Sequence, residues 1–154
     1  MPSYKGHLAG GIFAYLVILY FVIATQAPNF TTALEWLLFT LAGSLFPDVD
    51  IKSKGQKLFY WVMLLLMIVL LINDQKQALI IVAILGVIPL LVRHRGIFHR
   101  LWFVVLVPLL IAWILCNYVP YCSNTIMYDC LFFIVGAISH LWLDLGFRRM
   151  IRWR

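Results

Sequence analysis

At 154 residues the chain has room for one domain, here 1–154. It is 64% hydrophobic and only 12% charged, where soluble domains carry about 25% charged residues. That composition excludes a water-soluble fold, so lipid is taken as the solvent. The net charge of +6 invites nucleic acid as a partner. A membrane protein with positive cytoplasmic loops carries the same excess, so membrane lipid and no nucleic acid is expected.

In chain order the apolar runs predict six helices. Residues 8–25 form the first, read as a retained helix because no small-x-small cleavage site follows Thr25. Pro28 and Asn29 make a turn, and residues 31–46 form the second helix, with Thr31 or Thr32 as N-cap and Pro47 as stop. Lys52-Ser53-Lys54-Gly55 reads as a polar loop. The third helix covers 58–72, closed by Asn73-Asp74, and the fourth covers 77–92, with Gly86 and Pro89 near its end. The fifth covers 101–118 and contains Pro108, which a membrane helix tolerates when neighbours satisfy the freed carbonyl. The sixth covers 125–147, before a basic tail. Most of these runs reach the roughly 17–25 residues that cross a bilayer, and two fall slightly short. Cys116, Cys122 and Cys130 lack metal-type spacing and read as packing residues, with a Cys122–Cys130 bridge as the alternative.

Loop charge orients the bundle. Lys5, Lys52, Lys54, Lys57, Arg93, Arg95, Arg100, Arg148, Arg149, Arg152 and Arg154 fall on one side of a six-helix arrangement, and Lys76 alone on the other. By the positive-inside rule the first side, with both termini, is cytoplasmic. The expected fold is therefore an all-α integral membrane bundle with both termini cytoplasmic.

All four histidines and three of the six acids gather at that same side. His7 precedes the first run, Asp48 and Asp50 follow the second, His94 and His99 lie between the fourth and fifth, and His140 and Asp144 end the sixth. His140 and Asp144 are four apart and share a helical face. Asp48 and Asp50 would point the same way in an extended segment. Gly96 permits a turn that converges His94 and His99. Singly, each element has an ordinary reading: a solvated interfacial histidine, a helix stop with an acidic loop, a hydrogen-bonded pair. Together they read as one metal site, with Asp48, Asp50, His94, His99, His140 and Asp144 as ligands. Ionisable groups near membrane spans are costly to bury unpaired and mark function. Mixed imidazole and carboxylate ligation suits Zn, Mn, Fe or Ni. The number of candidates suits one or two ions, leaving His7 and Asp50 for acid–base work and Arg95 to clamp a phosphate or carboxylate.

Four segments carry a family resemblance: Gly6-His7, Leu45-Phe46-Pro47-Asp48-Val49-Asp50, His94-Arg95-Gly96-Ile97-Phe98-His99 and Ser139-His140-Leu141-Trp142-Leu143-Asp144. In order and spacing they resemble the motif set of the YdjM-like family of membrane-bound, metal-dependent hydrolases. Phe98 stands where the family usually has a small hydroxyl residue, Arg100 where it commonly has Ser, and Gly146-Phe147-Arg148-Arg149 replaces a Thr- and Pro-containing tail. The resemblance implies a multi-pass inner-membrane protein, a divalent metal and a hydrolase. At headgroup level the substrate would be an ester or phosphoester of a lipid or lipid-linked molecule. The competing reading is a divalent-metal transporter or a non-catalytic metal-binding membrane protein. Transporter sites lie near the bilayer midplane, whereas these residues sit at one end. A structural subunit with a polar docking face is the third reading.

Overall fold

The computed structural model describes residues 4–91 and 97–146. They form six α-helices and three 3-10 turns: α1 Tyr4–Gln26, α2 Phe30–Leu45, α3 Lys54–Ile72, α4 Lys76–Leu91, α5 Leu101–Tyr118 and α6 Ser123–Leu145, with turns at Phe46–Asp50, Ile97–His99 and Pro120–Cys122. The expected helical membrane bundle is what forms. Five of the segments are long and apolar enough to cross a membrane, α2 reaching that length only with its following turn, Phe30–Asp50. α4, with 16 residues, is the shorter one.

The boundaries depart from the sequence expectation where caps decide them. α1 starts at Tyr4 and not at residue 8, so His7 lies inside its first turns. The N-cap of α2 is Asn29, whose Oδ1 accepts from the Thr32 N–H at 2.8 Å, in place of Thr31 or Thr32. α3 begins at Lys54 and not at residue 58. Ser53 caps it by accepting the Gln56 N–H at 3.0 Å, which leaves one more helix donor satisfied. The three cysteines are free thiols, and Cys130 is buried in the packing between α5 and α6. α4 ends at Leu91, the last described residue before 97.

The core is a three-helix unit of α1, α2 and α6, with α5 packed along α6. Small residues allow α2 and α6 to touch through their backbones. A Cβ at Gly43 would meet the Phe133 carbonyl oxygen, and one at Gly136 would meet the Thr40 carbonyl oxygen, with Ser44 N only 2.9 Å away. Lipid gives no hydrophobic drive to bring helices together, so such close approach supplies the van der Waals contact that holds membrane helices. One end is filled by Tyr15, Trp36 and Phe132, the Trp36 and Phe132 rings stacked with centroids 4.8 Å apart. The Tyr15 hydroxyl donates to the Ala33 carbonyl at 2.8 Å. On the α5 side, Val104, Ala137 and Leu141 are fully buried. α3 and α4 form a hairpin that leans on the Phe46–Asp50 turn and only lightly on α2. Their large apolar side chains, among them Leu65, Val69, Ile81, Ile84 and Leu90, are exposed, as lipid-facing side chains must be in a bundle of this composition.

Candidate metal centre

The sequence pattern Phe46-Pro47-Asp48-Val49-Asp50 does not run extended after α2. Pro47 opens a 3-10 turn spanning Phe46–Asp50. With three residues per turn, side chains two apart diverge, so the expected pairing of Asp48 and Asp50 on one face is not formed. Asp48 turns toward α6. Its backbone is tied down by Ser53, whose hydroxyl donates to the Asp48 carbonyl at 2.8 Å while capping α3. Pro47 and Val49 are buried beneath it.

α6 contributes two residues from its last turns. His140 is fully buried, and its Nδ1 lies 2.7 Å from the Ser44 carbonyl oxygen. A carbonyl only accepts, so Nδ1 carries the proton and Nε2 presents its lone pair to the carboxylates. That bond is the kind of outer support that orients a metal-binding imidazole. Asp144, one turn on, has a side chain only 2% exposed. His99 enters from the 3-10 turn Ile97–His99 that leads into α5, and is 6% exposed. Burial beside His140 lowers its pKa below the ordinary 6.5, against the opposing pull of Asp50, Asp48 and Asp144. The ring is therefore neutral at physiological pH, the form a ligand needs.

Asp48, His99, His140 and Asp144 each offer one ligand atom, and these four atoms lie within 4.8 Å of one another. His140 Nε2 is 3.5 Å from Asp48 Oδ1 and 3.8 Å from Asp144 Oδ2; His99 Nε2 is 3.7 Å from Asp48 Oδ1 and 3.8 Å from Asp144 Oδ2. These separations are too long for direct hydrogen bonds. His140 Nε2 is buried without a hydrogen-bond partner among the described residues. Two carboxylates and two imidazoles, converging from three elements, fit a divalent cation, and this buried group could hold one.

His7 sits beside this group. Its ring stacks on His140 with centroids 3.8 Å apart and planes 15° from parallel, and its Nε2 is 3.3 Å from Asp144 Oδ1. Gly11, one turn on, lies so close to α2 that a Cβ would come within 2.9 Å of Ser44 Cβ. That close approach brings α1 and its histidine against the site. Asp50 is outside the group of four, but its charge acts on His99. His94 and Arg95 fall outside the described residues. Sequence reasoning missed Ser44 and Ser53. The Ser53-x-x-Gln56 spacing is a legible cap signal; Ser44 acts through its backbone carbonyl and leaves no side-chain signature.

The model of the YdjM inner membrane protein family matches residues 1–153. The chain belongs to the YdjM family. Neither a curated protein nor a solved structure matches it. Membership and the apolar helices together make this an integral membrane protein of an inner-membrane family, with a buried group able to hold a metal.

Proposed function

We propose that this YdjM-family protein is a membrane-embedded, metal-dependent hydrolase working at the cytoplasmic face on an ester or phosphoester of a lipid or lipid-linked substrate. The observation that carries the reading is the convergence of Asp48, His99, His140 and Asp144 within 4.8 Å, at the helix ends and not at mid-depth. Position at one end of the helices supports a substrate met at headgroup level, where an ester linkage lies. The concentration of basic residues at that end in the sequence supports a cytoplasmic assignment by the positive-inside rule.

Asp48, His99, His140 and Asp144 would hold a divalent ion, with Zn, Mn and Fe suited to this mixed set and room in the wider cluster for one or two. Such an ion supplies Lewis acidity and brings the pKa of a water toward neutrality. The chain's own residues do the rest. Ser44 fixes the His140 tautomer. Asp50, near His99 and outside the group of four, takes a proton from water as general base. His7, held against Asp144 at 3.3 Å, carries a proton to the leaving oxygen. Arg95 pairs with a substrate phosphate or carboxylate.

The test uses purified protein in nanodiscs with a panel of lipid esters and phosphoesters. Asp50→Asn should keep the metal and slow turnover by roughly 10²–10⁴-fold, the range for loss of a general base. His140→Ala should lose both metal and turnover, and Cys116→Ala neither. Metal-free wild-type protein under metal-replete conditions refutes the reading. Metal uptake into sealed vesicles without turnover of any ester replaces it with transport.

A further inference from the structure

The opposite end of the core holds a second polar feature that the metal group does not use. α1 closes there at Gln26, and Ala27 takes a left-handed φ of 40° before Pro28 and the Asn29 cap. Together with the first turns of α2 and α6, this corner borders a half-open cavity of about 290 Å³, lined by Gln26, Thr32, Glu35, Trp36, Asn124 and Tyr128, among others. Rigid α-helices of 23 residues separate it from His7 and Asp144 at the other ends of α1 and α6.

Three observations describe what such a cavity would take. The first is charge. Glu35 lies in the wall, and Asp129, one residue beyond Tyr128, is within electrostatic reach of it. Lys76, the base the sequence places at this end, is engaged by Asp74 at 3.3 Å. The second is aromatic: the half-buried Tyr128 ring lines the wall, backed by the buried Trp36 ring with centroids 5.3 Å apart. The third is capacity left over. Behind the wall Asp129, next to Tyr128 in sequence and 9% exposed, buries the acceptor Oδ1 with no hydrogen-bond partner among the described residues.

A carboxylate beside aromatic rings recognises an organic cation, because the ring quadrupole and the acid both favour positive charge while the apolar surface meets the adjoining methylenes. A bare divalent ion fits less well. It needs six or more close oxygens, only Glu35 brings a carboxylate to the wall, and Asn29 Oδ1 is already spent on Thr32 N at 2.8 Å and Thr31 Oγ1 at 2.7 Å. The volume is also several times the roughly 30 Å³ share of one water.

We propose that the cavity between the α1–α2 corner and the start of α6 binds a primary organic ammonium group, with Glu35 as its counter-ion and Trp36 and Tyr128 as its aromatic wall. The same chemistry is offered by a free amine and by the ethanolamine headgroup of a phospholipid, and the cavity lies at a helix end, where both reach it. The proposal is independent of the hydrolase reading.

The full chain is purified into nanodiscs and titrated calorimetrically with ethanolammonium in phosphatidylglycerol discs. Lipid retained by the protein from mixed phosphatidylethanolamine–phosphatidylglycerol membranes is read by native mass spectrometry. Saturable ethanolammonium binding assigns a free amine; selective retention of phosphatidylethanolamine alone assigns the headgroup. In either arm Glu35→Gln, which keeps size and removes charge, should weaken binding about tenfold or more, as expected for losing a charged hydrogen-bond partner. Its metal content and melting temperature should match wild type, showing that the fold and the distant group are intact. Should Glu35→Gln fail to fold, Tyr128→Leu carries the same test through the aromatic wall. Binding unchanged in the folded variant, calcium ions bound in preference to ammonium, or no binding in both arms overturns the proposal.

Discussion

Gly136 carries no chemistry, yet its replacement should disable the metal group. It lies on α6 one helical turn before His140, against the α2 backbone, where a Cβ would collide with the Thr40 carbonyl oxygen and approach Ser44 N to 2.9 Å. Carbon–oxygen contacts settle at about 3.3–3.6 Å, so Gly136→Ala forces α2 and α6 apart by on the order of 1 Å. The His140 Nδ1 to Ser44 O bond is 2.7 Å long and spans the same interface. Stretched by that amount, it exceeds hydrogen-bond range and releases the imidazole from its fixed orientation. Overpacking of this kind costs about 1–3 kcal/mol. Loss of an outer support of a ligand lowers metal affinity about 10–100-fold. Metal content by mass spectrometry and thermal unfolding in detergent should both fall for Gly136→Ala. Gly86→Ala on α4, where a Cβ meets nothing within 4 Å, should change neither adversely. Wild-type metal content and melting temperature in Gly136→Ala would refute the argument that backbone contact between α2 and α6 sets the site.

Three further outcomes are expected. Cysteine introduced at Lys54 should be labelled from the cytoplasmic side and not from outside intact cells, and external labelling would overturn the orientation. Metal loading should persist at neutral pH and fall as the medium is acidified below about 6.5, because protons compete for the ligand nitrogens. The metal-free protein should lose stability in the same direction. His99 has its pKa lowered by folding, so the unfolded chain binds more protons below 6.5. Stability is then full above that value and declines as pH drops from 6.5 toward the folded value. Rising stability on acidification across that interval would contradict the buried, neutral His99.

What could be read from the chain alone was what depends on period and charge. The helical spacing of His140 and Asp144 put both on one face, and both reach the group. The apolar runs and the one-sided basic residues gave six helices, with the ends of α2 and α6 and the approach to α5 together. What could not be read depends on local closure or on backbone atoms. Pro47 turns the Asp48–Asp50 segment into a 3-10 turn, so the two acids part where extended geometry would align them. Asn29 outcompeted the threonines as cap because its Oδ1 reaches both Thr32 N and Thr31 Oγ1. The Ser44 carbonyl that orients His140 is a backbone atom and has no residue code at all. The Gly43 and Gly136 contacts need both helices in place before either glycine acquires a reason.

The group of four also has a mechanical position. Asp48 lies in the Phe46–Asp50 turn, on which the α3–α4 hairpin leans; His99 lies in the turn that starts α5; His140 and Asp144 belong to α6. One ion held by all four would join the hairpin and α5 to the three-helix core at a single point. Bringing the four side chains together without a cation leaves His140 Nε2 buried with no hydrogen-bond partner among the described residues, at a cost of about 1–3 kcal/mol for an uncompensated group. Metal removal should therefore loosen what the turn supports before it loosens the core. α1, α2 and α6 keep their own close contacts at Gly43, Gly136, Trp36 and Phe132, which involve no ligand. Hydrogen exchange of the protein in nanodiscs, with and without chelator, separates the two. Faster exchange is expected across the Phe46–Asp50 turn and the first turns of α3, with little change at the α2–α6 crossing. Asp144→Asn should reproduce that pattern without chelator. Uniform deprotection of all six helices would mean that the ion holds the whole fold, and no change anywhere would mean that the four side chains do not share an ion.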